Sequence, residues 1–473
     1  MPYWINSFFK YKWLVSVCKI WEINRKMNII LLSGGSGKRL WPLSDEIRSK
    51  QFLKLFQNED GREESMLQRV HRQILKKIPS ANIVVATGKK QVSLIREQLG
   101  NSVKVCVEPE RRDTFPAIVL ATAFMHYELG IEDSESIIIC PVDPYVDESY
   151  FESIRELDML SHQGIAKILL LGIHPSYPSE KYGYIIPESN SYVSSVASFK
   201  EKPDTNTAKK YLDEHALWNA GVFACEIRYI LDLARVQVQF SDYRDLYKKY
   251  TLLPKISFDY AVVENENSIC VVRYYGQWKD IGTWNVLSET MINPVLGNVL
   301  LDEECEGVNV INELDIPILC AGCNNLVVSA SNNGILVADK TSCENLKPSV
   351  EKIADNNRVV THTWGSFRIV DVQEESLTAL LHFNKNQMLS YHSHNYRNEI
   401  WTVVAGNGIA IIDDDKQELK VGDTVIIAAG CKHMIIVNDK LSLLETQIGK
   451  YIDVTDKIKY TMPEQYSCYE RNI

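Results

Sequence analysis

The feature that most constrains this fold is a short apolar run, Asn28–Leu32, that passes without a spacer into the glycine-rich stretch Ser33–Arg39. An apolar run of that length ended by glycines reads as a buried strand. A strand that feeds directly into such a loop places the loop at the C-terminal edge of an α/β sheet, where ligands gather. There Gly34, Gly35 and Gly37 let backbone N–H groups approach phosphate oxygens with no Cβ in the way, and Arg39 and Lys50 add positive charge. The loop has neither the Gly-Lys-Ser/Thr ending of a Walker loop nor dinucleotide G-x-G-x-x-G spacing.

Further strand-like runs at Asn82–Ala86, Val103–Val107, Ser136–Cys140 and Ile168–Leu171 alternate with helical patterns such as Met66–Lys77 and Gln91–Leu99. This alternation predicts a mostly parallel, Rossmann-like α/β domain over residues 27–294. From 295 to 358 short apolar runs, among them Val308–Ile311 and Leu326–Ser329, predict a β-rich, solenoid-like connector and then a polar linker. A third set, including Phe367–Val372, Leu377–Phe383, Glu399–Val404, Gly408–Ile412 and Leu441–Gln447, predicts an antiparallel all-β barrel over 359–473.

A formal charge of -10 speaks against a nucleic-acid binder, which needs a net basic face; a mononucleotide needs only a local basic loop. The eleven cysteines are scattered and many sit in apolar runs, so they read as reduced thiols of a cytoplasmic protein. Cys320 and Cys323 have C-x-x-C spacing, but no second pair accompanies them, and they read as strand and turn residues. Residues 1–26 read as an N-terminal extension that adds little to the fold or as a misplaced start, in preference to a membrane-surface helix. Lys19 interrupts its apolar run, which is too short to span a bilayer, so no membrane association is expected.

The run Leu32–Ser44, followed by Lys50–Leu53, closely resembles the signature of mannose-1-phosphate guanylyltransferases. The resemblance continues in the family's order through Glu108–Ala117, Pro141–Asp143, Tyr182–Tyr184, Phe199–Pro203, Trp218–Gly221, Ser257–Tyr260 with Glu264, and Trp278–Trp284. Lys38 stands where the family has Thr, Ser49 where it has Pro, and Pro144 where it has His. None of these departures removes a phosphate-binding cation or a metal carboxylate.

The resemblance implies that GTP and α-D-mannose 1-phosphate give GDP-mannose and diphosphate. It implies that Gly34, Gly35, Ser36, Gly37, Arg39 and Lys50 hold the triphosphate, and that Arg112, Asp113, Thr114 and Pro116 lie against the nucleoside. Gly183 would let the backbone reach the sugar, while Glu201, Lys202 and Asn219 would hold the sugar phosphate. Asp143 and Asp280 would bind Mg²⁺, an oxygen-seeking ion, and with Arg39 and Lys50 would form the catalytic set. The attacking sugar phosphate is already anionic, so the chemistry needs alignment and charge neutralisation more than a base.

In the third region His392 and His394 lie two apart, Glu399 opens the next strand and His433 returns from a later one, the spacing of a cupin metal site. These donors suit Zn²⁺ or another divalent transition metal. Leu389–Trp401 and Trp364–Gly365 also resemble the isomerase domain of bifunctional phosphomannose isomerases. Against that family, His392 replaces a glutamine, Tyr396 a histidine and Ala428 a proline, and Asp456 and Lys459 are what is left of an acidic pair and a catalytic arginine. The fold and the metal site are supported by this resemblance, and isomerase activity is not. Three rivals stand beside the guanylyltransferase reading: a bifunctional enzyme with mannose-6-phosphate isomerase activity, a sister sugar-1-phosphate nucleotidyltransferase, and an inactive sugar-nucleotide-binding regulator. Retention of Arg39, Lys50, Asp143 and Asp280 argues against the last, and a homo-oligomer is compatible with all of them.

Overall fold

The computed structural model describes residues 26–466, apart from 36, 46, 354–357 and 454. Nearly all of the expected extension 1–26, and Ser36 of the glycine loop, therefore lie outside the described residues. The chain divides into two compact units: residues up to Gly35 with Lys50–Gly282, and Ser36–Ser49 with Thr283 onward.

In the first unit Asn28–Leu32 pairs in parallel with Asn82–Gly88 on one side and with Ser136–Pro141 on the other. Ile29, Ile30 and Leu31 are wholly buried, as expected of a strand covered on both faces. The nine-stranded sheet runs Lys104–Glu108, Asn82–Gly88, Asn28–Leu32, Ser136–Pro141, Leu217–Glu226, Ile168–Ile173, Ile269–Tyr274, Val193–Lys200, Tyr184–Pro187. Seven of its nine strands run in one direction, and Leu217–Glu226 and Val193–Lys200 run against them, so the sheet is mixed, with parallel pairing among Lys104–Glu108, Asn82–Gly88, Asn28–Leu32 and Ser136–Pro141. Helix Met66–Lys77 starts at a capping box formed by Ser65 and Gln68. Helix Thr114–Ala123 is apolar on all sides, and every residue after Thr114 is buried.

In the second unit the connector is solenoid-like. Val295–Leu296, Asn309–Asn312 and Leu326–Ser331 stack in parallel, and Val299–Leu301 pairs in parallel with Ile318–Cys320. The segment that follows the glycine loop is tied to it: Trp284 Nε1 donates to Trp41 O (3.2 Å), Ser331 Oγ to Pro42 O (2.8 Å), and Arg48 forms a two-pronged pair with Glu313 (2.9 and 2.7 Å). Helix Lys347–Ile353 leads toward the barrel. The runs Glu399–Val404 and Gly408–Ile412, expected as separate strands, form one strand, Asn398–Ile412. Over Asn398–Gly406 it pairs with Leu441–Ile448, with a register shift between Val403 and Ala405, and over Ile409–Ile412 it pairs with His433–Val437.

The nine cysteines among the described residues are free thiols. No described helix is long and apolar enough to cross a membrane.

Candidate active site and candidate metal centre

The first site is built where the sheet's central strands end. Leu32 and Pro141 are register partners, so exposed Gly34 and Gly35 and the segment Pro141–Asp143 leave the sheet side by side. Asp280 reaches Asp143 through a two-stranded ribbon in which Trp278 pairs with Val146 and Asp280 with Pro144. Lys50 opens a 3-10 turn whose Gln51 and Phe52 are buried, and Gln51 Nε2 donates to Ser33 O (3.0 Å). The turn thereby aims the Lys50 ammonium between the two carboxylates, 2.8 Å from Asp143 Oδ2 and 3.2 Å from Asp280 Oδ1. Burial alone would lower the Lys50 pKa, but Asp143 and Asp280 outweigh it and hold it above its usual value. Asp143 and Asp280 offer carboxylate oxygens, donors that fit the oxygen-only ligation of Mg²⁺.

Beside this pair a cavity of about 200 Å³ is lined by Tyr182, Gly183, Glu201, Asn219, Asp259 and Trp278, among others. Gly183 is required there: a Cβ would lie 2.5 Å from Glu201 Oε2 and 2.7 Å from the Phe199 ring. Glu201 is buried and pairs with Lys202 Nζ (2.6 Å), and its backbone N–H donates to Glu264 Oε1 (2.9 Å). Strand Leu217–Glu226 shifts register between Asn219 and Phe223, and Asn219 N–H donates to Gly183 O (2.8 Å). The structure thus brings Lys50, Asp143, Asp280, Gly183, Glu201, Lys202 and Asn219 into one neighbourhood.

The expected nucleoside-facing residues form the entry to the buried helix. Asp113 accepts from Thr114 N–H (2.8 Å), Thr114 Oγ1 accepts from Phe258 N–H (2.8 Å), and buried Pro116 lies in the first turn. Arg112 is held by Leu253 O (3.1 Å) and Glu110 (2.5 Å). In the second unit Gly37 and Arg39 belong to the 3-10 turn Gly37–Leu40, with Arg39 exposed.

The second site lies inside the barrel. His392 and His433 are direct register partners, and the ring nitrogens that His392, His394 and His433 offer lie within 4.8 Å of one another. Each ring is fixed from behind, because Nδ1 faces a backbone carbonyl: Ser390 O for His392 (2.6 Å), Cys431 O for His433 (3.0 Å), and Asp456 O for His394. A carbonyl only accepts, so Nδ1 carries the proton and Nε2 keeps its lone pair. Glu399 completes the set, 3.1 Å from His394 Nε2 and 3.4 Å from His433 Nε2. His433 Nε2 is buried without a hydrogen-bond partner, as a nitrogen awaiting a metal would be, so the donor set fits a divalent transition metal.

Burial and the neighbouring His433 push His392 down to about 2, which keeps the ring neutral. Arg397 donates to Glu399 Oε1 (3.2 Å) and to His394 Nε2 (3.1 Å). Asp456 is buried and accepts from Asn395 N–H (2.9 Å) and Tyr396 N–H (3.1 Å), anchoring the loop that carries His394. Lys459 is exposed.

Sequence reasoning missed Gln51, Asp259, Glu445, Gln447 and Lys457. Gln51 and Asp259 stand inside quoted motifs, but nothing in their residue type announces a role. Glu445 faces the barrel interior, where burial and Glu399 raise its pKa, and burial lowers that of Lys457. Period-two alternation from buried Leu441 and Leu443 could have found Glu445 and Gln447.

The family described as Nucleotidyl transferase matches residues 28–293, more than half of the chain. The chain belongs to that family. It is accordingly an enzyme of the nucleotidyltransferase class. A second family, described as Mannose-6-phosphate isomerase C-terminal, matches residues 350–461. Among curated relatives, the chain is 27% identical to the Escherichia coli (strain K12) protein named mannose-1-phosphate guanylyltransferase, over 92% of this chain and 98% of that one. It is 28% identical to the Xanthomonas campestris pv. campestris (strain B100) protein named xanthan biosynthesis protein XanB, over 91% and 97%. Among solved structures it is similar to a Thermus thermophilus protein named mannose-1-phosphate geranyltransferase. The TM-score is 0.58 at 26% identity, covering 70% of this chain and all of that one.

Proposed function

We propose that this chain is a mannose-1-phosphate guanylyltransferase that converts GTP and α-D-mannose 1-phosphate into GDP-mannose and diphosphate. The observation that carries the reading is the Lys50 ammonium set between Asp143 and Asp280 beside a sugar-sized cavity. Relatives of the same name, matched over almost their whole length, support the choice of base and sugar.

A phosphate oxygen of mannose 1-phosphate attacks the α-phosphorus of GTP in line, the α–β bridging bond breaks, and diphosphate leaves with that bond's electron pair. Glu201 and Asn219 accept and donate hydrogen bonds to sugar hydroxyls, and Lys202 neutralises the sugar phosphate. Gly34, Gly35 and Gly37 present backbone N–H groups to the triphosphate, with Ser36 in the same loop, and Arg39 and Lys50 add charge. Arg112, Asp113, Thr114 and Pro116 border the nucleoside. Asp143 and Asp280 would hold Mg²⁺, which would supply charge neutralisation. Because the nucleophile is anionic, these residues accelerate the reaction by alignment and electrostatics.

For the barrel we propose that His392, His394, Glu399 and His433 bind zinc or a neighbouring divalent metal, and that conversion of mannose 6-phosphate to fructose 6-phosphate is weak or absent. Lys459 is exposed, and a flexible ammonium does not reproduce an arginine's planar two-pronged contact.

Diphosphate release from a panel of nucleoside triphosphates and sugar 1-phosphates tests the first reading. GTP with mannose 1-phosphate is expected to give the highest kcat/KM; a higher value for another pair replaces the substrate assignment. Robust isomerase turnover, abolished by His433→Ala, would instead make the chain bifunctional.

A further inference from the structure

The roles assigned above leave one acid of the sugar cavity without a task. Asp259 sits in the first turn of the short helix Phe258–Ala261, which Ser257 caps by accepting Tyr260 N–H (3.3 Å). Two bonds hold this turn in place: Phe258 N–H donates to Thr114 Oγ1 (2.8 Å), and Phe115 N–H donates to Ile256 O (3.2 Å). The turn therefore rests on the entry to the buried helix Thr114–Ala123 and points Asp259 into the cavity.

Asp259 Oδ1 accepts from Asn219 Nδ2 (2.7 Å), while Asn219 Oδ1 accepts from Gly221 N–H (3.0 Å). Together these bonds fix which way the Asn219 amide faces. The flipped amide would set NH₂ against an N–H and oxygen against a carboxylate, losing both bonds and adding two repulsions. Asn219 lines the same cavity as Glu201 and has one further N–H and one further lone pair to offer. Only with the amide fixed are those two directions constant.

We propose, on the guanylyltransferase reading, that Asp259 is a positioning residue of the sugar subsite, locking Asn219 so that Asn219 and Glu201 together read neighbouring hydroxyls of the sugar phosphate. The groups that face Asp259 are Glu201 and Lys202, from the segment after strand Val193–Lys200, and Asn219, from strand Leu217–Glu226. Burial, and then the Glu201 carboxylate, push Asp259 up to about 7. Loss of the Asp259 proton as pH rises through that value adds a negative charge to the cavity, which disfavours an anionic sugar phosphate.

The test is steady-state kinetics on the full chain with GTP and mannose 1-phosphate varied separately, for wild type, Asp259→Ala and Asp259→Asn, each checked for folding by circular dichroism. Asp259→Ala is expected to raise KM for mannose 1-phosphate about tenfold, the weight of one lost hydrogen bond, while KM for GTP changes less than about twofold. Asp259→Asn keeps an acceptor for Asn219 and is expected to recover most of that loss at pH 6. It should also lack the weakening of sugar-phosphate affinity that wild type shows as pH rises through about 7.

An unchanged mannose 1-phosphate KM in Asp259→Ala, or an equal rise in both KM values, would overturn the inference. If Asp259→Ala does not fold, the pH profiles decide: superimposable profiles for wild type and Asp259→Asn overturn it, and a profile flattened in Asp259→Asn supports it. Should wild type release no diphosphate, the guanylyltransferase reading fails by itself. Calorimetric binding of mannose 1-phosphate to wild type and Asp259→Asn, at pH 6 and pH 8, then tests Asp259 separately by the same criterion.

Discussion

The two candidate ion sites in this chain differ in how their donors are prepared. In the transferase unit the carboxylates of Asp143 and Asp280 are 37% and 26% exposed, and the Lys50 ammonium stands between them. In the barrel the side chains of His394, His433 and Glu399 are 3%, 1% and 3% exposed, and backbone carbonyls fix the three imidazoles. A wet carboxylate pair suits a hard cation that keeps much of its water and arrives with phosphates. A dry, pre-aimed set of imidazoles suits a transition metal held as a fixture. On the proposed reading, one site is completed by its substrates and the other is organised before any ligand arrives.

Removing a carboxylate from the wet site should have the largest effect. Asp143→Asn or Asp280→Asn is expected to lower turnover about a thousandfold, because each supplies charge to an ion that contributes several kcal/mol to the transfer step. The measurement is diphosphate release at saturating Mg²⁺, with circular dichroism to show an intact fold. Near-normal turnover in both variants would mean that the pair is a structural ion-pair partner of Lys50.

The dry site is challenged by His433→Ala, which is expected to weaken metal affinity about a hundredfold, at the upper end of what even an outer partner of a ligand costs. Metal content of the purified protein, measured by mass spectrometry before and after dialysis against a chelator, checks this. Equal metal content in wild type and variant would show that His433 Nε2 does not wait for an ion.

The two sites were also unequally legible in the sequence. The candidate barrel ligands His392, His394, Glu399 and His433 could be read from spacing, because strand periodicity converts a two-residue interval into a shared face. The pairing of Asp143 with Asp280 could not, since it depends on a ribbon between segments far apart in sequence, and only motif resemblance pointed to both. The strand and loop at Asn28–Arg39 announced the α/β sheet, and alternation announced the barrel. Gln51 and Asp259 stayed hidden because a side chain's partner is set by tertiary packing, which residue type does not encode. The joining of Glu399–Val404 and Gly408–Ile412 into one strand was hidden for the same reason: a glycine between apolar runs marks a turn and a bulge alike.

A smaller effect is expected for the loop cation. Arg39→Ala should lower kcat/KM for GTP about thirtyfold, the equivalent of a charged hydrogen-bonding contact that strengthens as charge shifts onto leaving diphosphate. Kinetics with GTP varied would check it. An unchanged kcat/KM would assign the 3-10 turn Gly37–Leu40 a structural role only.

The smallest effect bears most directly on the contrast between the sites. If the Lys50 ammonium occupies the place of a cation, an incoming metal must displace it, and the cost is that of breaking its contacts to Asp143 and Asp280. Those contacts are partly solvated, so their weight is modest, and Lys50→Gln should tighten Mn²⁺ binding in the absence of nucleotide about fivefold. Lys54→Gln removes the same charge from an exposed position four residues on and should change that affinity much less. Titration of Mn²⁺ by electron paramagnetic resonance, with the barrel site first loaded with zinc, separates the two. Equal affinities in wild type and Lys50→Gln would mean that the ammonium and the metal do not compete. The wet site would then be as ready for its ion as the barrel is, and the contrast between them would reduce to exposure alone.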